Sequence, residues 1–388
     1  MNTHKPIILY FGNDWFAENR TSSHHIARLL AKRYLVYYLE CPGLRAPRGE
    51  GRDVGKLLSK VARFLKGPTP VPEGLKVRTL LQIPLHRFSF VRDANRVFIE
   101  LTLRWLMWRE GIQRPISWFL VPHLSSVVGR LGERLSVYYC IDDYAALPDV
   151  NVEAVRSMDE EITCRADLVF VASETLVDAK RKLNPGTYVS PHGVDLEHFK
   201  RALDPALAPP PDIAGMARPI VGFFGLIERW IDLELVAYLA AMRPAWNFVM
   251  LGRVAVPAGE VPRLQNLHFL GRRAYDRLPA YGRLFDVAII PYRLTQQVLH
   301  ANPIKLREYL AMGRPVVSVS TPEIDKYADV VEIARSREEF LAKLDAVLAR
   351  GDSPGDVRRR VERVTGEGWE ARLDAVMKIV SSRLDSAS

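Results

Sequence analysis

The sequence is poor in cysteine and lacks long hydrophobic runs, and both features exclude whole classes of protein. Its 388 residues include only Cys41, Cys140 and Cys164, without a CxxC spacing. We therefore expect neither a disulfide framework nor a zinc site, and interpret the three as buried thiols. No stretch approaches the about 18 consecutive apolar residues of a membrane-spanning helix. The first residues lack the zones of a signal peptide, which predicts a cytoplasmic protein.

Glutamine-, serine- and glycine-rich tracts are also missing, and a composition of 48% hydrophobic and 26% charged residues is typical of a folded protein. The formal net charge of +9 indicates affinity for something anionic. Because zinc-finger spacings and RNP-type aromatic patterns are lacking, we do not expect nucleic acid to be that partner. Phosphorylated substrates and anionic lipid headgroups are the other candidates.

Short apolar runs alternate with segments of helical periodicity, and this order predicts parallel sheets covered by helices. A segment with four prolines at residues 204–212 marks a boundary between two such series. The expected strands are residues 7–11, 35–39, 117–121, 137–141 and 168–171 before it, and 220–224, 247–251, 267–270, 287–290, 316–319 and 330–333 after it.

The predicted fold class is therefore α/β, with two Rossmann-like doubly wound domains that face each other across a cleft. We expect an N-terminal domain over residues 1–203 and a C-terminal domain over residues 213–366. A helix over residues 367–388 is expected to pack back toward the first domain. Because ligands bind at the carboxyl edges of parallel strands, the active site is expected between the two domains.

Residues 45–92 interrupt the alternation. Within them, basic residues recur near one side of a helix over residues 56–66 while apolar side chains occupy the rest. This pattern is typical of a helix that lies on an anionic membrane, here through Lys56, Lys60, Arg63 and Lys66. A solvated helix packed on the domain would show the same pattern, and both interpretations stay open. Residues 92–109 are more apolar, so we expect them to be buried.

The most informative segment is residues 300–317, HANPIKLREYLAMGRPVV. Asn302 as N-cap and Pro303 in the first helical position predict the start of a helix. Lys305 would then lie in the first turn, where the helix disfavours a cation unless an anion is bound. A pyrophosphate here would contact backbone N–H groups and Lys305, while Glu308 would accept hydrogen bonds from a ribose. The alternative is a surface salt bridge between Lys305 and Glu308.

Several segments of this half resemble the GT-B glycosyltransferases, particularly the bacterial exopolysaccharide and teichuronic-acid enzymes and the xanthan glucuronosyltransferase. The resemblance implies the GT-B fold, a transferase activity and a C-terminal domain that binds a nucleotide-diphosphate sugar. Besides residues 300–317, it is carried by VGFFGLIERWIDL at 221–233, NLHFLGR at 266–272, LPAY at 278–281, FDVAIIPY at 285–292 and the turn PHGVD at 191–195.

The resemblance also implies roles for single residues of the donor site. Lys305 matches the residue that binds the donor phosphates, and Glu308 matches the residue that binds the ribose. Tyr292 matches a residue beside the nucleotide, and Gly225 would let the backbone approach the phosphates because glycine has no Cβ. Asn302, at the start of the same helix, completes the expected donor-binding set.

Two further residues bear on the stereochemistry of transfer. Arg229 lies near the lysine of the KGxDL pattern that retaining members of the superfamily carry. Retaining members also often show two glutamates eight residues apart, whereas the residue eight before Glu308 is His300. This departure argues against a retaining enzyme.

In the N-terminal half the resemblance is carried by the sequence GNDW after the first strand and by SSHHIAR at the start of the next helix. These look like the acceptor-side loop of the family, so Asn13, Trp15 and His24 are expected beside the acceptor. His24 or His25 would serve as an acid, a base or a phosphate ligand, because the pKa of histidine lies near neutrality. A helix-capping or solvated histidine is the alternative for each.

Two acidic residues follow the expected strand at residues 137–141. Asp142 and Asp143 would place carboxylates at the carboxyl edge of the sheet, where ligands bind. By resemblance, Asp142 matches the catalytic base of the xanthan glucuronosyltransferase. The alternative is that Asp142 caps the turn before the helix at Asn151 or bonds backbone amides. Asp143 either caps the following turn or exchanges roles with Asp142, and both assignments stay open.

The expected function is inverting transfer of a hexosyl or glycuronosyl group from a UDP-sugar to a lipid-linked or polysaccharide acceptor in cell-surface or exopolysaccharide biosynthesis. No cofactor or metal is expected, because no DxD pair is placed for a divalent cation and Lys305, Arg229 and a helix N-terminus would neutralise the leaving diphosphate. The alternatives are a UDP-sugar 2-epimerase of the same fold and a catalytically silent binding scaffold. A peripheral position on the inner face of the cytoplasmic membrane would bring the protein to a lipid-linked acceptor.

Overall fold

A computed structural model describes residues 6–16, 20–41, 61–64, 69–71, 74–81 and 89–386. Internal contacts divide the chain into two compact units. The first unit comprises Met1–Pro191 together with Leu373–Ser388, and the second comprises His192–Arg372.

The first unit contains an eight-stranded sheet that is parallel except for one short edge strand. The strand order is β3-β4-β2-β1-β5-β6-β7-β8, and only the β3 to β4 pairing is antiparallel. The strands are β1 (Ile7–Gly12), β2 (Leu35–Glu40), β3 (Thr69–Pro70), β4 (Lys76–Thr79), β5 (Ile116–Phe119), β6 (Leu135–Cys140), β7 (Leu168–Val171) and β8 (Thr187–Val189). The helices are α1 (Ser22–Ala31), α2 (Ser89–Glu110), α3 (Val152–Arg165) and α4 (Val177–Leu183).

The strands of this unit carry apolar residues on both faces because parallel strands are covered on both sides. Every residue of β5 and β6 is buried. On one face of the sheet Phe11 stacks on Phe119, with ring centroids 4.4 Å apart. On the other face Tyr10 stacks on Tyr38 and Trp118. Successive residues of a strand point to opposite faces, so the neighbours Tyr10 and Phe11 pack on opposite faces of the sheet.

The second unit contains a six-stranded, fully parallel sheet with the order β11-β10-β9-β12-β13-β14. Its strands are β9 (Ile220–Phe224), β10 (Asn247–Leu251), β11 (Leu267–Gly271), β12 (Val287–Ile290), β13 (Val316–Val319) and β14 (Glu332–Ala334). Its helices are α5 (Leu196–Lys200), α6 (Leu233–Met242), α7 (Leu278–Gly282), α8 (Gln296–His300), α9 (Ile304–Ala311), α10 (Arg337–Arg350), α11 (Pro354–Thr365) and the first residues of α12 (Trp369–Ser386).

Both sheets reverse their strand order at one place. In the second unit the chain builds outward from β9 through β10 to β11, then returns to add β12 on the other side of β9. The corresponding place in the first unit lies between β1 and β5. At such a switch point the loops after the two central strands diverge and leave a crevice, which is where doubly wound sheets bind ligands.

The division into units does not fall at the proline-rich segment that the sequence analysis took as the boundary. It falls at Pro191 and His192, because Phe199 and Ala202 are buried in the core of the second unit. The proline-rich segment lies on the surface of the same unit, where Asp212 accepts hydrogen bonds from Arg273 and Tyr281. At the other end, residues 373–386 of α12 belong to the first unit.

Two burial predictions were wrong in part. Cys41 and Cys140 are buried, but Cys164 is exposed, because it lies on the outer side of α3. Residues 92–109 were expected to be buried, whereas only one side of α2 is buried, and large apolar side chains such as Trp108 are exposed.

Of the predicted basic helix, Arg63 is described, while Lys56, Lys60 and Lys66 lie outside the described residues.

Candidate functional site

The candidate site of the second unit is built on the loops that follow β9 and β10. Gly225 comes directly after β9 with φ +156°, and Gly252 comes directly after β10 with φ +152°. The Gly225 N–H donates to the carbonyl of Leu251, and the Gly252 N–H donates to the carbonyl of Gly271. A Cβ on Gly252 would lie 1.7 Å from the carbonyl oxygen of Gly225. Glycine at position 252 therefore lets the loop after β10 run in contact with the loop after β9.

Lys305 and Glu308 meet at this place on α9. The Nζ atom of Lys305 lies 2.8 Å from Oε2 of Glu308 and 5.0 Å from the centre of the Phe224 ring. A Cβ on Gly225 would lie 3.4 Å from Cε of Lys305. The resemblance thus named three residues, Gly225, Lys305 and Glu308, that the fold brings together. The salt bridge that the sequence offered as the alternative is also present, so Lys305 has a resident partner.

The pair differs from an ordinary surface salt bridge in its burial. Glu308 is 4% exposed, whereas about a quarter of the Lys305 side chain is accessible. Burying a carboxylate without a counter-charge is costly, and Lys305 provides that charge from the open side. An anionic ligand arriving there meets the ammonium group first, and the carboxylate behind it is an acceptor for hydroxyl groups.

Two tyrosines border Glu308. Burial raises the pKa of the Tyr292 hydroxyl well above its usual range, and the nearby Glu308 charge adds to that shift. Burial also raises the pKa of Tyr309, whose hydroxyl accepts a hydrogen bond from the backbone N–H of Phe224. Both phenols therefore stay protonated. Tyr309 ties α9 to the end of β9, and Tyr292, half-buried after β12, lies near Glu308. The position of Tyr292 beside a nucleotide stays a prediction.

The start of α9 differs from the sequence prediction. The N-cap is Pro303 rather than Asn302, and the first helical residue is Ile304. Proline offers no side-chain acceptor, so it leaves the N–H groups of the first turn uncapped. The Asn302 side chain instead accepts hydrogen bonds from the His192 backbone and from Arg307. Its amide donates to Glu323.

Arg307 is a structural residue of this site that the sequence analysis did not identify. It is 2% exposed, and its Nε atom lies 2.6 Å from Glu367, while Nη1 donates to Asn302. Glu367 also accepts a hydrogen bond from Tyr327. Because these partners are distant in sequence, spacing gives no signal for them. Together they hold the loop before α9 against the turn at His192.

Arg229 and His300, the two residues that bear on stereochemistry, lie in loop and helix-end positions. The Arg229 side chain is exposed in the loop after β9, and its backbone N–H donates to Glu228. His300 is half-buried at the end of α8.

In the first unit the predicted acceptor-side residues form one cluster after β1. Trp15 is buried beside His24, with ring centroids 5.2 Å apart, and it also packs edge-on against Tyr38. The Asn13 carbonyl accepts a hydrogen bond from the Tyr38 hydroxyl. The Trp15 N–H donates to the buried carboxylate of Glu40. Asn13, Trp15 and His24 are therefore neighbours, and their place beside an acceptor stays a prediction.

His24 performs the capping role that the sequence offered as its alternative. Its Nδ1 atom accepts a hydrogen bond from the Thr21 N–H at the start of α1. Its Nε2 atom lies 3.2 Å from the carbonyl of Trp15, to which it donates. Burial lowers the pKa of His24 below 6.5, so the ring is neutral near pH 7. His25 is half-buried in the next position of the helix.

Asp142 and Asp143 follow β6, as predicted, and both are half-buried. The Asp142 side chain accepts a hydrogen bond of 2.9 Å from the Asp143 N–H. Asp143 precedes a short 3₁₀ turn over Tyr144–Ala146, but its side chain makes no capping hydrogen bond there. The helix α3 is capped by Asn151. Neither aspartate is thus used as a helix cap. The bond from the Asp143 N–H is, however, the backbone-amide contact that the sequence offered as the alternative role of Asp142.

In the described part of the chain, no group of three or more His, Cys, Asp or Glu side chains is arranged to hold a metal ion. In the same ranges, no helix combines the length and the apolar character needed to cross a bilayer.

Comparison with known proteins agrees with this architecture. Residues 218–350 match the family model described as glycosyl transferases group 1. Over 392 residues the chain is 26% identical to TuaH of Bacillus subtilis (strain 168), whose name describes a teichuronic acid biosynthesis glycosyltransferase. The alignment covers 92% of each protein.

Similar solved structures cover almost the whole chain. Sucrose-phosphate synthase from Thermosynechococcus elongatus matches with a TM-score of 0.70 and 14% identity, over 99% of this chain and 100% of that one. Anabaena HepE, in complex with UDP and glucose, matches with a TM-score of 0.64 and 13% identity, over 97% of this chain and 99% of that one. An E. coli structure described as trehalose-6-phosphate bound with UDP-2-fluoro glucose matches with a TM-score of 0.64 and 14% identity, over 98% and 97% of the two chains.

The two doubly wound units and these structural matches define an α/β protein with the GT-B fold, as the sequence predicted. The family match and the relative named as a glycosyltransferase define the activity class. The chain is a glycosyltransferase of the GT-B type.

Proposed function

We propose that the protein transfers a sugar, with inversion and without a divalent metal, from a UDP-sugar to a hydroxyl group of a lipid-linked or polysaccharide acceptor. The observation that carries the proposal is the cluster of Gly225, Lys305 and Glu308 at the switch point of the second unit. It combines an accessible cation, a buried hydroxyl acceptor and uncapped backbone N–H groups.

The donor would bind through its diphosphate and its ribose. Phosphate oxygens would receive the uncapped N–H groups of the first turn of α9 and the ammonium group of Lys305. The ribose hydroxyls would donate to Glu308, which is buried on α9 and lies near Tyr292. Relatives of the same fold bind UDP with glucose or a UDP-sugar analogue, which supports the choice of UDP.

When the donor binds, Lys305 would gain a second oxygen partner. Its ammonium group carries three donors, so it can keep the Glu308 contact and add a phosphate oxygen. The leaving diphosphate gains negative charge as the glycosidic carbon–oxygen bond breaks, and a fixed cation with helix N–H groups stabilises that charge. This neutralisation would replace the role that a divalent metal has in other transferases.

Asp142 is the general base in this proposal. It would take the proton from the acceptor hydroxyl as that oxygen forms a bond to the anomeric carbon and the bond to UDP breaks. The side chain lies after β6 at the carboxyl edge of its sheet, is partly accessible and does not cap a helix. His24 is a weaker candidate because both of its ring nitrogens are engaged in the cap of α1.

The class of acceptor rests on the relative whose name refers to teichuronic acid biosynthesis. That relationship supports a lipid-linked or polysaccharide acceptor of a cell-surface pathway. We propose a cytoplasmic protein that acts at the inner face of the membrane, where such an acceptor is reached.

The test is a transfer assay with Asp142→Asn, which keeps the shape of the side chain and removes its basicity. With a panel of UDP-sugars and a membrane glycolipid extract, the wild type should release UDP and form a glycosylated product that mass spectrometry detects. The variant should bind UDP normally and transfer about 10²- to 10⁴-fold more slowly. Near wild-type transfer would eliminate Asp142 as the base, and conversion of a UDP-sugar to its epimer without acceptor would contradict the transfer reaction itself.

A further inference from the structure

The helix α2 has two apolar sides, and only one of them is used in the core of the first unit. Ile99, Leu103 and Leu106 are buried in that core. On the other side lie large apolar residues, among which Leu101 is 62% exposed and Trp108 is 81% exposed. We call this exposed set the α2 stripe; its members are Val97, Phe98, Leu101, Trp105 and Trp108.

The α2 stripe is continuous. At 3.6 residues per turn its five members fall within an arc of about 100°. The arc runs over three turns of the helix, from Val97 to Trp108. Scattered apolar side chains on a surface need no explanation, whereas a contiguous exposed patch of this kind marks a binding surface.

Cations lie at the edges of the α2 stripe. Arg104 borders it on one side and pairs with Glu100. Arg109 borders it on the other side and stacks over the Trp105 ring at 5.2 Å. Among the described residues, no carboxylate lies within salt-bridge distance of Arg109. An apolar arc that contains tryptophan and is flanked by arginine is typical of helices that lie in the interface of a membrane.

A second cation, Arg78, lies next to the α2 stripe, and two of its three guanidinium nitrogens have no hydrogen-bond partner among the described residues. Arg78 on β4 is 4% exposed, and its guanidinium lies between the rings of Phe64 and Trp105, at 5.3 and 5.1 Å. Its Nε and Nη1 atoms have no hydrogen-bond partner in the described structure. Glu110, the nearest carboxylate on α2, is engaged by Lys76 at 2.7 Å. Arg78 and Arg109 therefore form a local excess of positive charge behind Trp105.

We infer that the α2 stripe docks the first unit on an anionic lipid surface. The aromatic and aliphatic side chains would enter the headgroup region, and Arg109, with the charge of Arg78 behind it, would attract lipid phosphates. The net charge of +9 favours the same partner. A second copy of the chain is a poorer occupant, because a symmetric contact would bring Arg78 and Arg109 of both copies together.

This surface is different from the basic segment at residues 56–66, and the inference does not depend on the transferase reaction. The experiment is vesicle co-sedimentation of the full chain with phosphatidylglycerol mixed into phosphatidylcholine, compared with phosphatidylcholine alone. We expect binding only when phosphatidylglycerol is present, with the emission of tryptophan shifted to the blue and quenched by brominated lipid.

Three variants decide the matter. Leu101→Ser with Trp108→Ser removes two highly exposed side chains and should lower the vesicle partition coefficient by about tenfold or more. Arg109→Gln should lower it about fivefold. The matched control, Leu183→Ser with Met242→Ser, changes two exposed apolar residues elsewhere and should bind like the wild type.

Three results would overturn the inference. The Leu101→Ser, Trp108→Ser protein could bind vesicles as tightly as the control, which would assign any membrane binding to another part of the chain. The wild type could bind neutral vesicles equally well, which would remove the role of the cations. Sedimentation velocity could show a dimer that the double variant abolishes, which would make the α2 stripe a contact between copies.

Discussion

A substitution at Gly252 tests whether the contact between the two glycine loops shapes the donor site. A Cβ at this position would lie 1.7 Å from the carbonyl oxygen of Gly225, and real Cβ atoms essentially never come closer than 3.0 Å. In Gly252→Ala the loops must therefore separate by about 1.3 Å, the difference between these two distances. The atoms that would have to move are backbone, so no flexible side chain can absorb the change.

The cost has two sources. The alanine would be held near φ +152°, a region that costs roughly 1–3 kcal/mol for a residue other than glycine. Separation would also weaken the hydrogen bonds from Gly225 to Leu251 and from Gly252 to Gly271, which are 2.8 and 2.9 Å long. Each contributes about 0.5–1.5 kcal/mol to stability. We expect a loss of about 2–5 kcal/mol, with weaker UDP binding because Gly225 adjoins Lys305.

Urea denaturation followed by circular dichroism would measure the loss, and calorimetry would measure UDP affinity. Gly259→Ala is the matched control, since a Cβ at Gly259 meets nothing within 4 Å and its φ is not positive. If Gly252→Ala and Gly259→Ala unfold at the same urea concentration and bind UDP equally, the close contact between the loops does not exist in solution.

Three further predictions concern single side chains. Glu308→Gln should weaken UDP binding about tenfold while changing pyrophosphate binding little, because the carboxylate is assigned to the ribose; equal effects in two titrations would refute that assignment. Arg307→Met should lower the free energy of unfolding by about 2–3 kcal/mol by removing a buried counter-ion of Glu367, and an unchanged denaturation midpoint would refute it. Because burial lowers the pKa of His24 below 6.5, the unfolded chain binds a proton that the folded chain does not, so stability should fall as the pH drops below 6.5. His24→Gln should reduce that pH dependence, and an unchanged slope would show that other groups cause it.

The strands of the second unit were predictable because they are short, apolar and buried on both faces. The predicted bounds of β9, β10, β12 and β13 are those of the structure. The edge strands β3 and β8 were not predicted, because edge positions tolerate polar residues and proline and so lack a continuous apolar run. The strand β4, which lies between β3 and β2, was not predicted either, because its four residues include Lys76 and Arg78 and form no apolar run.

In the candidate donor site, contacts between residues close in sequence were predictable, whereas contacts between residues far apart in sequence were not. Lys305 and Glu308 are three residues apart on one helix, so their proximity follows from helix geometry. The partners of Asn302 lie at His192 and Glu323, far along the chain, and local sequence gave Asn302 the commoner role of N-cap. The tertiary contacts of Asn302 therefore override its local preference for the N-cap position.

The α2 stripe shows a third feature that the sequence does not predict, namely which side of a helix is buried. Both sides of the helix are apolar, so periodicity predicts burial without saying which side packs inward. Only the structure shows that Leu103 faces the core while Trp108 does not.

The central claim, that Lys305 binds the donor diphosphate, is tested most directly by calorimetric titration of UDP into the wild type and Lys305→Gln. The glutamine keeps a donor for the buried Glu308 carboxylate and removes the positive charge. Lys343→Gln, which breaks another salt bridge of the same unit with Glu332, is the control. We expect UDP binding to be about 10- to 150-fold weaker in Lys305→Gln and unchanged in Lys343→Gln. Equal UDP affinity in all three proteins would contradict the role of Lys305 in diphosphate binding.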